Sequence, residues 1–147
     1  MQTYLIRARC VIIHQSKVLL EFVNDEDFYF YPGGRLEPYE TIVQAAVREI
    51  REEIDREFHV QKVLYIREFI NKEKQDHSIE FFILGSLDNP TNIDHNPNNP
   101  DPKLNHQFKW IDIDNLPENV LPAQLTKKLQ QDFHNNFAND TQYLGLL

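Results

Sequence analysis

Three glutamates in the run Arg48-Glu49-Ile50-Arg51-Glu52-Glu53, preceded by Glu40 and the pair Gly33-Gly34, are the residues of this chain best placed to do chemistry. At about 100° per residue, positions 49, 52 and 53 fall on one face of an α-helix, while Val43, Val47, Ile50 and Ile54 gather on another. One face packs and the other binds. Carboxylates this close repel each other unless something positive stands among them, and Mg²⁺ or Mn²⁺ takes oxygen ligands of this kind. Arg48 and Glu52 also form an i, i+4 pair, as on many solvated helix faces. The upstream Pro-Gly-Gly turn and the set distance to Glu40 favour the ion site, because a surface helix needs neither.

The surrounding elements must hold that helix. Residues 3 to 13 and 18 to 23 are apolar or alternating and are separated by the polar break His14-Gln15-Ser16-Lys17, which predicts two strands joined by a turn. Phe28 to Tyr31 reads as a short aromatic strand stopped by Pro32-Gly33-Gly34. Thr41 and Gln44 form a capping box that starts the helix just after Glu40 and carries it to about Ile54. Strands are expected over 58 to 70, 78 to 87 and 107 to 113, the last holding the only tryptophan, Trp110. Between them, residues 88 to 105 are rich in Asn and Pro, which predicts a long loop able to cover a substrate. Pro122 suits a first helical turn, and Leu125, Leu129, Phe133 and Phe137 make an apolar stripe every four residues. The order β-β-β-α-β-β-β-α predicts an α/β (α+β) fold, a mixed sheet between helices, in one domain over residues 1 to 147.

From Gly34 the chain reads five residues, Glu40, seven residues, then Arg48-Glu49-Ile50-Arg51-Glu52-Glu53-Ile54-Asp55-Arg56. This resembles the Nudix box, G-x5-E-x7-R-E-U-x-E-E-x-G-U with U aliphatic, over residues 34 to 56. Gly34, Glu40, Arg48, Glu49, Ile50, Glu52 and Glu53 match at the correct spacing, and the strand order looks like a whole Nudix domain of the MutT-like type. Two positions depart from the pattern: Asp55 replaces its glycine and Arg56 its aliphatic residue. Aspartate is among the better non-glycine residues for a left-handed helix end, so the loop geometry is affected more than the acidic cluster.

The resemblance implies a hydrolase of phosphoric anhydride bonds. It would cleave a nucleoside diphosphate linked to another moiety, such as a nucleoside triphosphate, an oxidised one or ADP-ribose, releasing a nucleoside monophosphate with Mg²⁺ or Mn²⁺ as cofactor. Glu52 and Glu53 are then metal ligands, Glu49 is a third ligand or the base toward water, and the Gly34 carbonyl adds a ligand. Arg48 orients a glutamate of the cluster, and Glu40 ties the loop to the helix. Outside the box, Glu80 alternates with apolar neighbours and is a second candidate base. Arg35 is a candidate phosphate contact with a solvated arginine as the competing reading, and Tyr39 is either a substrate contact or a surface residue. Phe28 to Tyr31 could stack a base, but such strands more often pack, and Trp110 reads as core before platform. A nucleotide-binding sensor module of the same family without turnover is the rival function.

A formal net charge of −8 disfavours a nucleic acid polymer as partner, which needs clustered Lys and Arg, but not a small phosphate-bearing nucleotide bridged by cations. Apolar content of 41% and charged content of 26% fit a globular protein. No apolar run approaches the roughly 20 residues that span a bilayer, and no export signal is evident, so a cytoplasmic protein without membrane contact is expected, with a homodimer open to it. The single cysteine, Cys10, lies in an apolar strand and reads as packing, and the six histidines lack zinc-site spacing.

Overall fold

A computed structural model describes residues 3–147. Eight strands and two α-helices follow in the order β1 (Tyr4–His14), β2 (Lys17–Val23), β3 (Phe28–Phe30), β4 (Gly33–Arg35), α1 (Ile42–Ile54), β5 (Phe58–Asn71), β6 (Asp76–Leu87), β7 (His106–Asp112), α2 (Leu125–His134) and β8 (Gln142–Leu146). The main path of the sheet is β3-β2-β1-β6-β5-β8, with β4 added to β1 and β7 to β2. It is mixed: β1 runs parallel to β6 and β5 to β8, while the other pairs are antiparallel.

The alternation of the strands divides the core into two layers. Ala8, Cys10, Ile12, Leu19 and Ile83 face Ala45, Ala46, Ile50 and Ile54 of α1. Val11, Val18, Leu20, Tyr65 and Phe82 face Leu125 and Leu129 of α2. The expected mixed sheet between helices is the observed architecture. Cys10 is fully buried beside α1, and burial pushes its thiol well up, as a packing residue requires. Among the described residues no helix is long and apolar enough to cross a membrane.

One irregularity of the sheet creates the site. The free edge of β1 is shared: residues Arg7–Arg9 pair with β4, whereas only Ile13 and His14 pair with β2. Between these two contacts Cys10 N donates to Pro32 O at 2.7 Å, and the strands splay apart. Helix α1 lies over this fork. Its start is fixed by the expected capping box, with Gln44 N donating to Thr41 Oγ1 at 3.1 Å and Thr41 N to Gln44 Oε1 at 2.9 Å.

Three expectations need correction. The Gly-Gly stop is itself a strand, β4, because its backbone pairs with β1 although it has no side-chain pattern to reveal it. A further strand, β8, follows the last helix and pairs with β5. That helix begins at Leu125, with Pro122 in the turn before it; Phe137 lies beyond its end at φ 51°, yet still packs on the α2-side core.

Candidate active site

The box helix presents its charged face through one arginine. Arg48 Nε donates to Glu40 Oε1 at 2.7 Å and Nη2 to Glu40 Oε2 at 3.1 Å, a bidentate pair. The same guanidinium reaches Glu49 Oε1 at 3.0 Å, Glu52 Oε2 at 3.3 Å and the Arg35 carbonyl at 2.9 Å. The Arg48 bond holds the Glu40 carboxyl below its ordinary range, and the donation from Glu37 N at 2.9 Å adds to this. Glu40 therefore joins the loop before the helix to the helix itself, and Arg48 sets where Glu49 points.

Glu49 lies directly on β4. A Cβ built on Gly34 would stand 2.4 Å from Glu49 Oε1 and 2.7 Å from Oε2, so the absence of a side chain at 34 is what gives that carboxylate its place. Burial raises the Glu49 pKa, and Arg48 opposes the rise. Glu53 goes deeper. Its Oε2 is buried with no hydrogen-bond partner, and its pKa is held well above the usual range by burial first, then by Glu21 and Glu49. Glu52 stays about half exposed at the rim.

These groups line a cleft of about 530 Å³ at the fork, together with Arg7 and Arg9 of β1, Glu21 of β2, Phe30 of β3, Arg35 of β4 and Phe108 of β7. His95, Asn99, Asp101 and Lys103 come from the long loop. Carboxylates and cations thus line the same cleft, a pairing suited to metal ions and phosphates respectively. An adjoining pocket of about 370 Å³ shares Arg9 and Phe30 with it and adds Phe28, Arg67, Glu80 and His106.

The sequence expectations divide here. Glu49, Glu52, Glu53, Gly34 and Arg35 meet in the cleft. Glu80 does not join them: it sits in the adjoining pocket, its oxygens held by Arg9 Nε at 3.3 Å and Arg67 Nη2 at 3.2 Å, because its strand parity matches Phe82 on the α2 side. Tyr39 is fully exposed and outside both pockets. Of the aromatic strand, Phe28 and Phe30 line the pockets, Tyr31 is buried in the core and Tyr29 packs against it. Trp110 packs against the α1-side core and donates from Nε1 to Pro90 O at 3.0 Å.

Arg7, Arg9, Glu21 and Lys103 also line the cleft, and their local sequence says little of it. The one available signal was Glu21, a lone carboxylate inside Val18-Leu19-Leu20-Glu21-Phe22-Val23. The departures from the box pattern also acquire a place. Asp55 ends α1 in the left-handed conformation at φ 53°, the geometry a glycine would supply, and Tyr39 adopts φ 64°. Arg56 donates from Nε to Asn89 O at 2.9 Å and from Nη2 to Thr91 O and Asn92 O at 3.4 Å, latching the long loop to the helix end. Asn96 N adds a bond to Glu53 O at 2.8 Å.

The family model of the NUDIX domain matches residues 4–132. The chain belongs to the NUDIX hydrolase family. A MutT NUDIX hydrolase from Burkholderia pseudomallei is 18% identical with a TM-score of 0.66, covering 88% of this chain and 97% of that one. A NUDIX hydrolase from Nitrosomonas europaea reaches TM-score 0.72 at 15% identity, over 100% of this chain and 80% of its own. An ADP-ribose pyrophosphatase from Streptococcus suis is 20% identical, with a TM-score of 0.65 over 99% of this chain and 100% of that one. No curated protein matches the chain in sequence.

NUDIX hydrolases generally use divalent metal ions. Among the described residues no three carboxylate, imidazole or thiol groups form a ready-made cage, and Arg48 engages both Glu49 and Glu52. The donor set nevertheless fits such an ion. Two carboxylate oxygens, Glu53 Oε2 and Glu21 Oε2, are buried without any partner, which is costly for a charged group unless a cation serves them.

Proposed function

We propose that this chain, as one domain, is a Mg²⁺-dependent pyrophosphohydrolase that splits a nucleoside diphosphate linked to another moiety and releases a nucleoside monophosphate. The observation that carries this reading is the meeting, in one cleft, of Glu49, Glu52 and Glu53 with Arg7, Arg9, Arg35 and Lys103. Glu52 and Glu53 would hold the metal, with the Gly34 carbonyl and Glu49 completing the set or with Glu49 accepting the proton of the attacking water. When bound, the metal supplies charge neutralisation at the phosphoryl oxygens and a more acidic water. Arg48 keeps Glu49 aimed at the cleft through its Nη1 at 3.0 Å. Arg35 and Lys103 would hold the diphosphate beside Glu49 and Glu53, with Arg7 and Arg9, already paired to Asp76 and Glu80, adding positive charge to the cleft. The adjoining pocket, with Phe28 and Phe30, offers rings on which a base or other attached group can stack.

The test is a panel of nucleoside triphosphates, oxidised triphosphates, nucleotide sugars including ADP-ribose, and dinucleoside polyphosphates, with Mg²⁺ or Mn²⁺ and products identified. The ADP-ribose pyrophosphatase and the UDP-X diphosphatase among the similar structures support including conjugates beside triphosphates. Turnover of one class that is lost in Glu53→Gln at unchanged folding supports the reading. Absence of product from every substrate, with saturable nucleotide binding by calorimetry, would instead make the chain a binding module.

A further inference from the structure

Glu21 is a buried charge outside the box that its surroundings leave half unpaired. It stands in the middle of β2, opposite Phe30 of β3 and Phe108 of β7, on the face that Leu19 shares with α1. An apolar residue there would continue the core. The side chain is instead a carboxylate, only 3% exposed, in a sheet interior where burial disfavours its charge. His106 Nδ1 lies 3.2 Å from Oε1, so one oxygen has a partner, while Oε2 is buried with none.

The same deficiency recurs opposite it. Glu53, arriving from the helix, also has Oε2 buried and unpartnered, and after burial the charge of Glu21 is what most raises its carboxyl pKa. Both line the same cleft. The cations facing this pair are Arg9 and Lys103, and neither forms an ion pair with Glu21 or Glu53. Arg9 is taken by Glu80 at 3.3 Å. Two inward-facing carboxylates from different elements, each with one bare oxygen, are what a hard cation of radius suited to oxygen ligands can satisfy at once.

We propose that Glu21 is a further carboxylate of the divalent-cation site, supplied by the sheet rather than by the box, with His106 holding its other oxygen so that Oε2 faces Glu53. The proposal rests on the reading of the cleft as a cation site. Within it, Glu21 adds a ligand from a rigid central strand, and His106 plays the orienting part that a partner behind a ligand commonly plays.

Metal-free wild-type protein and Glu21→Gln are titrated with Mn²⁺ by calorimetry, with the free-ion signal followed by electron paramagnetic resonance. Binding is expected to weaken by about tenfold or more in Glu21→Gln. The metal-free variant is expected to melt no lower than wild type, because a bare buried charge has been removed; a carboxylate present only to pair with His106 would leave a less stable protein. Equal affinity and stoichiometry in the two proteins would overturn the proposal while leaving the cation site standing. Failure of wild type itself to bind Mn²⁺ would overturn both. Should Glu21→Gln not fold, Glu21→Asp asks the same question: withdrawal of the carboxylate by one methylene weakens Mn²⁺ binding, and unchanged binding refutes the role.

Discussion

Replacing Gly34 by alanine tests the geometry of the site with one methyl group. The backbone at Gly34 is not in the left-handed region, and the three nearest atoms to an added Cβ all belong to the Glu49 carboxyl, at 2.4, 2.5 and 2.7 Å. Ordinary van der Waals contact begins near 3.4 Å, so the carboxylate must retreat by about 1.0 Å. A displacement of about 1 Å in a catalytic group can cost on the order of 100-fold in rate, or about 2.7 kcal/mol in the barrier. The fold should not notice, since a flexible side-chain tip moves and the unfolded chain loses some freedom. The assay is initial-rate hydrolysis of the best substrate at saturating Mg²⁺, beside a thermal melt. Gly33→Ala is the contrast: at φ 142° its Cβ would lie 2.0 Å from the Ala8 carbonyl oxygen, in the backbone of β1, so this variant should lose stability outright. A Gly34→Ala enzyme with wild-type rate and wild-type melting temperature would refute the placement of Glu49 at the chemistry.

Arg56→Ala should release the long loop from the helix end. Its one short bond and two longer ones amount to about 1 kcal/mol, which predicts roughly a fivefold rise in KM with kcat little changed; an unaltered KM would separate the loop from substrate binding. In the metal-free protein the Glu53 and Glu49 carboxyls lie above their ordinary range. A raised carboxyl binds more protons folded than unfolded, so stability should fall as pH climbs through its folded value. The melting temperature is therefore expected to drop as the pH rises from the ordinary carboxylate range through these raised values, and to recover with Mg²⁺. A flat or rising melt over that window contradicts it. Glu40 and Asp76 are held low, the first by Arg48 and the second by Ser78 and Arg7, so their contribution is present above the ordinary carboxylate range and should be lost on acidification through their folded values.

What was legible in the sequence is what one segment decides for itself. Helix α1 announces itself through Thr41 and Gln44, its period and its charged face, and those features place Glu49, Glu52 and Glu53 without knowledge of any partner strand. Strand β4 was hidden because Gly33 and Gly34 have no side chains to alternate, and only β1 beside them makes them a strand. Arg7, Arg9 and Glu21 were hidden because their convergence depends on how β1 forks between β4 and β2, a non-local matter of register. Glu80 shows the reverse error. Alternation fixed its face, but which helix that face meets is decided by the whole sheet, and there Arg9 and Arg67 neutralise it.

The long loop is anchored at both of its functional ends and little in between. Arg56 and the Glu53 carbonyl fasten it as far as Asn96, and Asn24 N fastens Asn105 O at 2.9 Å. The stretch between carries Asn99, Asp101 and Lys103 into the cleft and is shaped by local asparagine turns, Asn98 N to Asn96 Oδ1 at 3.0 Å and Asp101 N to Asn99 Oδ1 at 3.1 Å. Residues 97 to 104 therefore behave as a cassette. Its contents can be exchanged between fixed clips, by drift or by a designer, without transmitting strain to the helix that bears the carboxylates. A library confined to that cassette is where new substrate preferences of this scaffold should be sought.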